Sequence, residues 1–83
     1  MYTTHKSKEE IIQSLIKALG YDYDGVTPAT VQLLSFKWHD CNFNGTVCDV
    51  VLTAWGDPTP FKARWETIDG WMFEGDHMPD FID

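Results

Sequence analysis

Residues 39–49, HDCNFNGTVCD, gather two cysteines, a histidine and two aspartates around an Asn-Gly dipeptide. Those side chains could support three chemistries: a disulfide between Cys41 and Cys48, a metal site, or a Cys41 thiol activated by His39 and Asp49. Which of them the chain can build depends on the strands that carry the residues, because successive strand side chains point to opposite faces of a sheet.

Were Asn44-Gly45 a two-residue hairpin loop, Cys41 would face Cys48. That register also sets Asp40 against Asp49, a like-charge pair, and mixes apolar with charged residues on both faces. A three-residue loop, Phe43-Asn44-Gly45, closed by Gly45 as a bulge, instead sets Trp38 against Val50, Phe36 against Leu52 and Leu34 against Ala54. The reverse face then pairs His39 with Asp49, Lys37 with Val51 and Ser35 with Thr53. A slip of one residue exchanges the two faces of a strand, so burial selects the second register. In it Cys41 and Cys48 point to opposite faces, which argues against a bridge. Cys48 reads as a small core residue and Cys41 as the more accessible thiol.

The other two chemistries fare no better. The ligands within reach of a metal are His39, Cys41, Cys48 and His77, but the six-residue spacer between the cysteines is long, the thiols diverge and His77 is remote, so no metal or cofactor is expected. His39, Cys41 and Asp49 share a face. Positions 39 and 41 are nevertheless about 7 Å apart along a strand, too far for a nucleophile and its base. The reading preferred for His39 and Asp49 is a surface cross-strand pair, and for the chain a non-enzymatic protein; a small thiol enzyme or ligand-binding domain using His39, Cys41 and Asp49 or an exposed Trp55 is the alternative.

The elements that position these residues are legible. Ser7-Lys8-Glu9-Glu10 fits a capping box, and Ile11, Ile12, Leu15, Ile16, Ala18 and Leu19 fall on one arc of a helix over about 8–19, with Gly20 as its cap. Residues 28–33 read as a helical turn or an early strand, with the turn favoured. Alternation then predicts strands over about 34–42, 46–55, 60–67 and 71–74. A loop at Gly56-Asp57-Pro58-Thr59 sets Ala54 against Phe61, Leu52 against Ala63 and Val50 against Trp65, and a bulged turn at Ile68-Asp69-Gly70 sets Phe73 against Trp65. The expected fold is α+β: one N-terminal amphipathic helix on one face of a four-stranded antiparallel meander, with an acidic tail over 75–83. The outer face, with Lys37, Val51, Arg64, His39, Asp49 and Glu66, reads as ordinary solvated surface.

With 83 residues the chain is a single domain, and four tryptophans help so small a core to bury area. The N-terminal run has no unbroken apolar segment, which points to the cytoplasm rather than to a signal peptide or a membrane span. Thirteen acidic against six basic residues give a net charge of −7, which opposes direct binding of nucleic acid or an anionic membrane. The same charge attracts basic protein surfaces, including those that hold nucleic acid. The excess lies in Asp22, Asp24, Asp57, Asp69, Glu74, Asp76, Asp80 and Asp83, and the tail interleaves acids with Phe73, Met78, Phe81 and Ile82. The tail either docks on a basic, partly apolar partner or folds back onto the chain's own core.

The expected function is protein binding through Asp69, Glu74, Asp76, Asp80, Phe81, Asp83, Asp57 and Trp55. In its sharper form it is an inhibitor that occupies the basic nucleic-acid-binding surface of its target. In composition the chain is similar to small acidic phage and mobile-element proteins that block restriction, CRISPR or DNA-repair enzymes; no motif carries that likeness. A regulatory subunit that forms a homodimer along a sheet edge is a further alternative.

Overall fold

The computed structural model describes residues 7–41, 45–67, 69–75, 78, 80 and 81, and the side chains of Asp40 and Cys41 lie outside that description. Helix α1 (Lys8–Leu19) begins as its sequence requires. Glu10 N donates to Ser7 Oγ at 3.2 Å while Ser7 N donates to Glu10 Oε1 at 3.4 Å, so two of the orphan donors at the helix start are satisfied. At the other end Gly20, at φ 88°, donates its N–H to Ile16 O at 2.8 Å. Ile11 and Leu15 are the fully buried residues of the helix, flanked by half-buried Ile12, Ile16 and Leu19, whereas Ala18 is exposed. Among the described residues no helix is long and apolar enough to cross a membrane.

Four antiparallel strands follow in the order β1-β2-β3-β4: β1 (Val31–Cys41), β2 (Gly45–Ala54), β3 (Phe61–Glu66) and β4 (Gly70–Phe73). The helix covers one face of this sheet. Leu33, Cys48, Val50, Leu52, Ala54 and Ala63 meet Ile11 and Leu15 there, with Trp38, Phe61, Trp65, Trp71 and Phe73 packed around them. Trp71 Nε1 donates to Ser14 Oγ at 2.7 Å and ties β4 to the helix. The architecture is therefore the α+β fold expected from the alternation.

The register differs from the expected one in a regular way. Trp38 pairs with Cys48 and Phe36 with Val50; Val50 pairs with Ala63 and Leu52 with Phe61; Trp65 pairs with Trp71 and Ala63 with Phe73. Each partner lies two residues from the one expected, because each hairpin is centred one residue earlier. Gly45, at φ 71°, and Gly70, at φ 73°, are the first paired residues of β2 and β4 instead of the last residues of the loops. From Ser35 onward a shift of two keeps every described side chain on its expected face, which is why the apolar face survives the correction.

Strand β1 holds the larger surprise. A bulge between Leu33 and Ser35 inserts an extra residue, so Val31 and Leu33 face inward and Leu34 does not. Leu34 is 50% exposed and Leu33 only 7%. Without the bulge, the parity set by Phe36 and Trp38 would have turned Gln32 into the core and Val31 and Leu33 out of it. Residues 28–33 accordingly form no helical turn: Tyr21 bridges to Pro28, Ala29 is buried and the strand begins at Val31.

Candidate functional site

At the end of the sheet where α1 stops and β2 turns into β3, the backbone is held in an unusual state. Trp55 has φ 58° and Gly56 φ 72°, and Asp57 N donates to Ala54 O at 3.1 Å, which makes Trp55-Gly56 the centre of a tight turn with both central residues left-handed. A bulky side chain disfavours that region, so its surroundings must hold it there. Trp55 Nε1 donates to Tyr21 O at 3.1 Å. Its ring stacks on Phe61 with centroids 6.1 Å apart and planes 7° apart, and Tyr23 tilts against it at 6.1 Å. Phe61, Phe73 and Trp71 continue the row at 6.3 Å spacings.

The loop that reaches over Trp55 is built on its two aspartates. Asp22 accepts from Thr30 N at 3.1 Å and from Thr30 Oγ1 at 2.9 Å. Asp24 accepts from Thr27 N and Val26 N, both at 2.9 Å, and from Thr27 Oγ1 at 2.8 Å. Those bonds, the Thr27 amide foremost, hold the Asp24 carboxyl below its ordinary value. The loop leaves Tyr21, Tyr23 and Val26 exposed at 62%, 82% and 78%. Beside it Leu19, Trp55, Phe61, Phe73 and Glu74 line an open groove of about 340 Å³. Apolar rings and four carboxylates, Asp22, Asp24, Asp57 and Glu74, thus meet at one end of the molecule.

The outer face of the sheet is not the solvated surface expected. Val47, Asp49, Arg64 and Glu66 are 1%, 4%, 4% and 5% exposed. Asp49 sits opposite Arg64 on the neighbouring strand, with Arg64 Nε 2.6 Å and Nη2 3.4 Å from its two oxygens. His39 pairs with Val47 and reaches Asp49 diagonally: Nε2 lies 3.3 Å from Oδ2, close enough for charge attraction but without hydrogen-bond geometry. The surface pair expected of His39 and Asp49 is therefore corrected to a buried Asp49–Arg64 pair with the imidazole beside it. Burial pushes the Glu66 carboxyl up, and the hydrogen bond and charge of Asp69 push it further.

Part of the cover comes from the chain's own C-terminal segment. Arg64 Nη2 donates to Asp80 O at 2.7 Å, and the Phe81 ring lies 5.2 Å from Lys62 Nζ and 5.9 Å from Arg64 Cζ. Phe81 does fold back, but onto the face opposite the helix and its core.

The residues singled out from the sequence thus fall in three places. Trp55, Asp57 and Glu74 share the groove end. Asp69 lies in the β3–β4 turn at the opposite end, beside Glu66, and Asp80 and Phe81 lie on the outer face. Asp76 and Asp83 lie outside the described residues, as does His77. Tyr21, Tyr23 and Val26 were not among those singled out; their signal was the alternation of tyrosine and aspartate in YDYDGV, which read only as turn chemistry. Cys48 is a free, fully buried thiol on the inner face, opposite the face that carries His39 and Asp49. Burial, with Asp49 adding to it, pushes its pKa up to about 12. Among the described residues no group of His, Cys, Asp or Glu could hold a metal ion. Comparison of the chain with family models, with curated proteins and with solved structures found no match.

Proposed function

We propose that this chain is a small non-enzymatic protein-binding domain and that it engages its partner through the groove end. The observation that carries the reading is the exposure of Tyr21, Tyr23 and Val26 next to a groove walled by Trp55, Phe61 and Phe73. Large rings in and beside a recess supply buried area on docking, and the carboxylates of Asp22, Asp24, Asp57 and Glu74 steer a basic surface toward them. The partner is a protein with a basic, partly apolar surface. In the sharper form of the proposal that surface is one the partner uses to hold nucleic acid, and the domain acts as its inhibitor. A cytoplasmic setting accords with the free thiol of Cys48.

Capture from a native lysate tests this, using the wild-type chain and a Tyr23→Ala variant side by side. The proposal expects proteins that the wild type retains and the variant loses, that are released between about 50 and 200 mM salt and that DNA displaces. Retention by both chains, or indifference to DNA, contradicts it. A second reading, pairing of two copies along β1, rests on the exposed Leu34 and Phe36 of that 11-residue edge strand. Sedimentation across a concentration series distinguishes a dimer from the monomer that the first reading requires no more than.

A further inference from the structure

The groove end leaves the covered outer face unexplained. Lys37, Lys62 and Arg64, half of the six lysines and arginines in a chain of net charge −7, lie on the outward side of β1 and β3. Arg64 is partly neutralised by Asp49, and its Nη2 also donates to Asp80 O at 2.7 Å. Exposed Lys62 stands over the Phe81 ring at 5.2 Å. Asp80 and Phe81 have thus found within their own chain the two cations of β3, on a face that also carries Asp49 and Glu66. We propose that the outer face of β2 and β3 around Lys62 and Arg64 is a docking site for an acidic peptide segment bearing an aromatic residue, and that the chain's own Asp80-Phe81 is a displaceable resident of that site.

The contacts define what the site reads. A hydrogen bond to a backbone carbonyl sets the path of the bound strand and is indifferent to its sequence. The ring held against Lys62 and Arg64 selects an aromatic residue through cation–π attraction, and the charge of exposed Lys62 favours an acidic neighbour. The described residues of the resident lie outside the sheet ladder. Met78 and Phe81 are half-buried and Asp80 is exposed, none of the three belongs to a helix or strand, and an open space of about 140 Å³ remains between them and Lys62, Glu74 and Gly75. Residues outside the hydrogen-bonded ladders open at lower free-energy cost than the strands they lie on. Because the resident is tethered, its effective concentration is on the order of millimolar, and an outside segment must overcome that to displace it.

The test uses a labelled synthetic peptide, EGDHMPDFID, which copies residues 74–83. Its binding to the full wild-type chain and to a full-length Phe81→Ala chain is followed by fluorescence polarisation. Weakening the resident should let the variant bind the peptide at least about tenfold more tightly than the wild type. A peptide carrying the same Phe81→Ala change should bind neither, and Lys62→Ala should abolish the gain. In the wild-type chain, millimolar peptide should move the resonances of the resident's own Asp80 and Phe81 as they leave the sheet, a readout that does not depend on the fold of any variant. Equal affinity of the two chains, undiminished binding of the peptide without its ring, or Asp80 and Phe81 resonances that stay in place at millimolar peptide would overturn the proposal.

Discussion

Arg64 and Asp49 illustrate how a charged residue comes to be buried in a domain this small. Their side chains are paired across adjacent strands at 2.6 Å, and Arg64 has a second acceptor in Asp80 O, so Nε and Nη2 are both satisfied. Removing one partner strands the other's charge away from water. Asp49→Asn should therefore lower unfolding stability by about 3–5 kcal/mol in urea titration; a loss below about 1 kcal/mol would mean that the pair is solvated. Glu66 behaves in the opposite sense. Its folded pKa is raised, so between the ordinary value of 4.5 and the folded value the native chain holds more protons than the unfolded one, and stability falls as pH rises through that window. Glu66→Gln removes the charge that burial and Asp69 oppose. The variant should be more stable than wild type at pH 7 by roughly 1 kcal/mol, with the difference vanishing below about pH 4. A pH-independent difference would contradict this. The sequence placed Asp49, Arg64 and Glu66 on their correct face but as solvated residues, because strand parity says which way a side chain points and nothing about what covers it.

At the scale of elements, α1 was legible to the residue because the cap, the apolar arc and Gly20 all agree on its limits. The strands were legible as faces but not as partners. A glycine at positive φ can close a loop or open the next ladder, and the sequence reads the same for both. The β1 bulge was not legible at all, since Leu33-Leu34 offers an apolar residue to either parity. The turn at Trp55-Gly56 has a clean test. A Cβ at Gly56 would meet nothing within 4 Å, so Gly56→Ala carries only the conformational cost of φ 72°. Stability should fall by about 1 kcal/mol, with the groove end still assembled as judged by tryptophan fluorescence. No loss of stability would show that the turn relaxes to another form.

Over the whole molecule, the acidic residues that looked like one population divide by location. Asp22, Asp24, Asp57 and Glu74 surround exposed rings at one end; Asp69 is at the other; Asp80 belongs to a segment whose partner is the chain's own sheet. Fold class followed from local pattern, whereas this division did not, because loop and tail placement depends on contacts between residues far apart in sequence, such as Trp55 with Tyr21 and Arg64 with Asp80. On the proposed function, the acids at the groove end act on a partner while Asp80 and Phe81 act within the chain. The most direct measurement is the affinity of a captured partner as a function of salt for three chains: wild type, Asp57→Asn with Glu74→Gln, and Asp80→Asn. Neutralising the groove end should weaken binding about fivefold at low salt and flatten its salt dependence, while Asp80→Asn should match wild type. Loss of affinity on Asp80→Asn with none on neutralising Asp57 and Glu74 would contradict binding through the groove end.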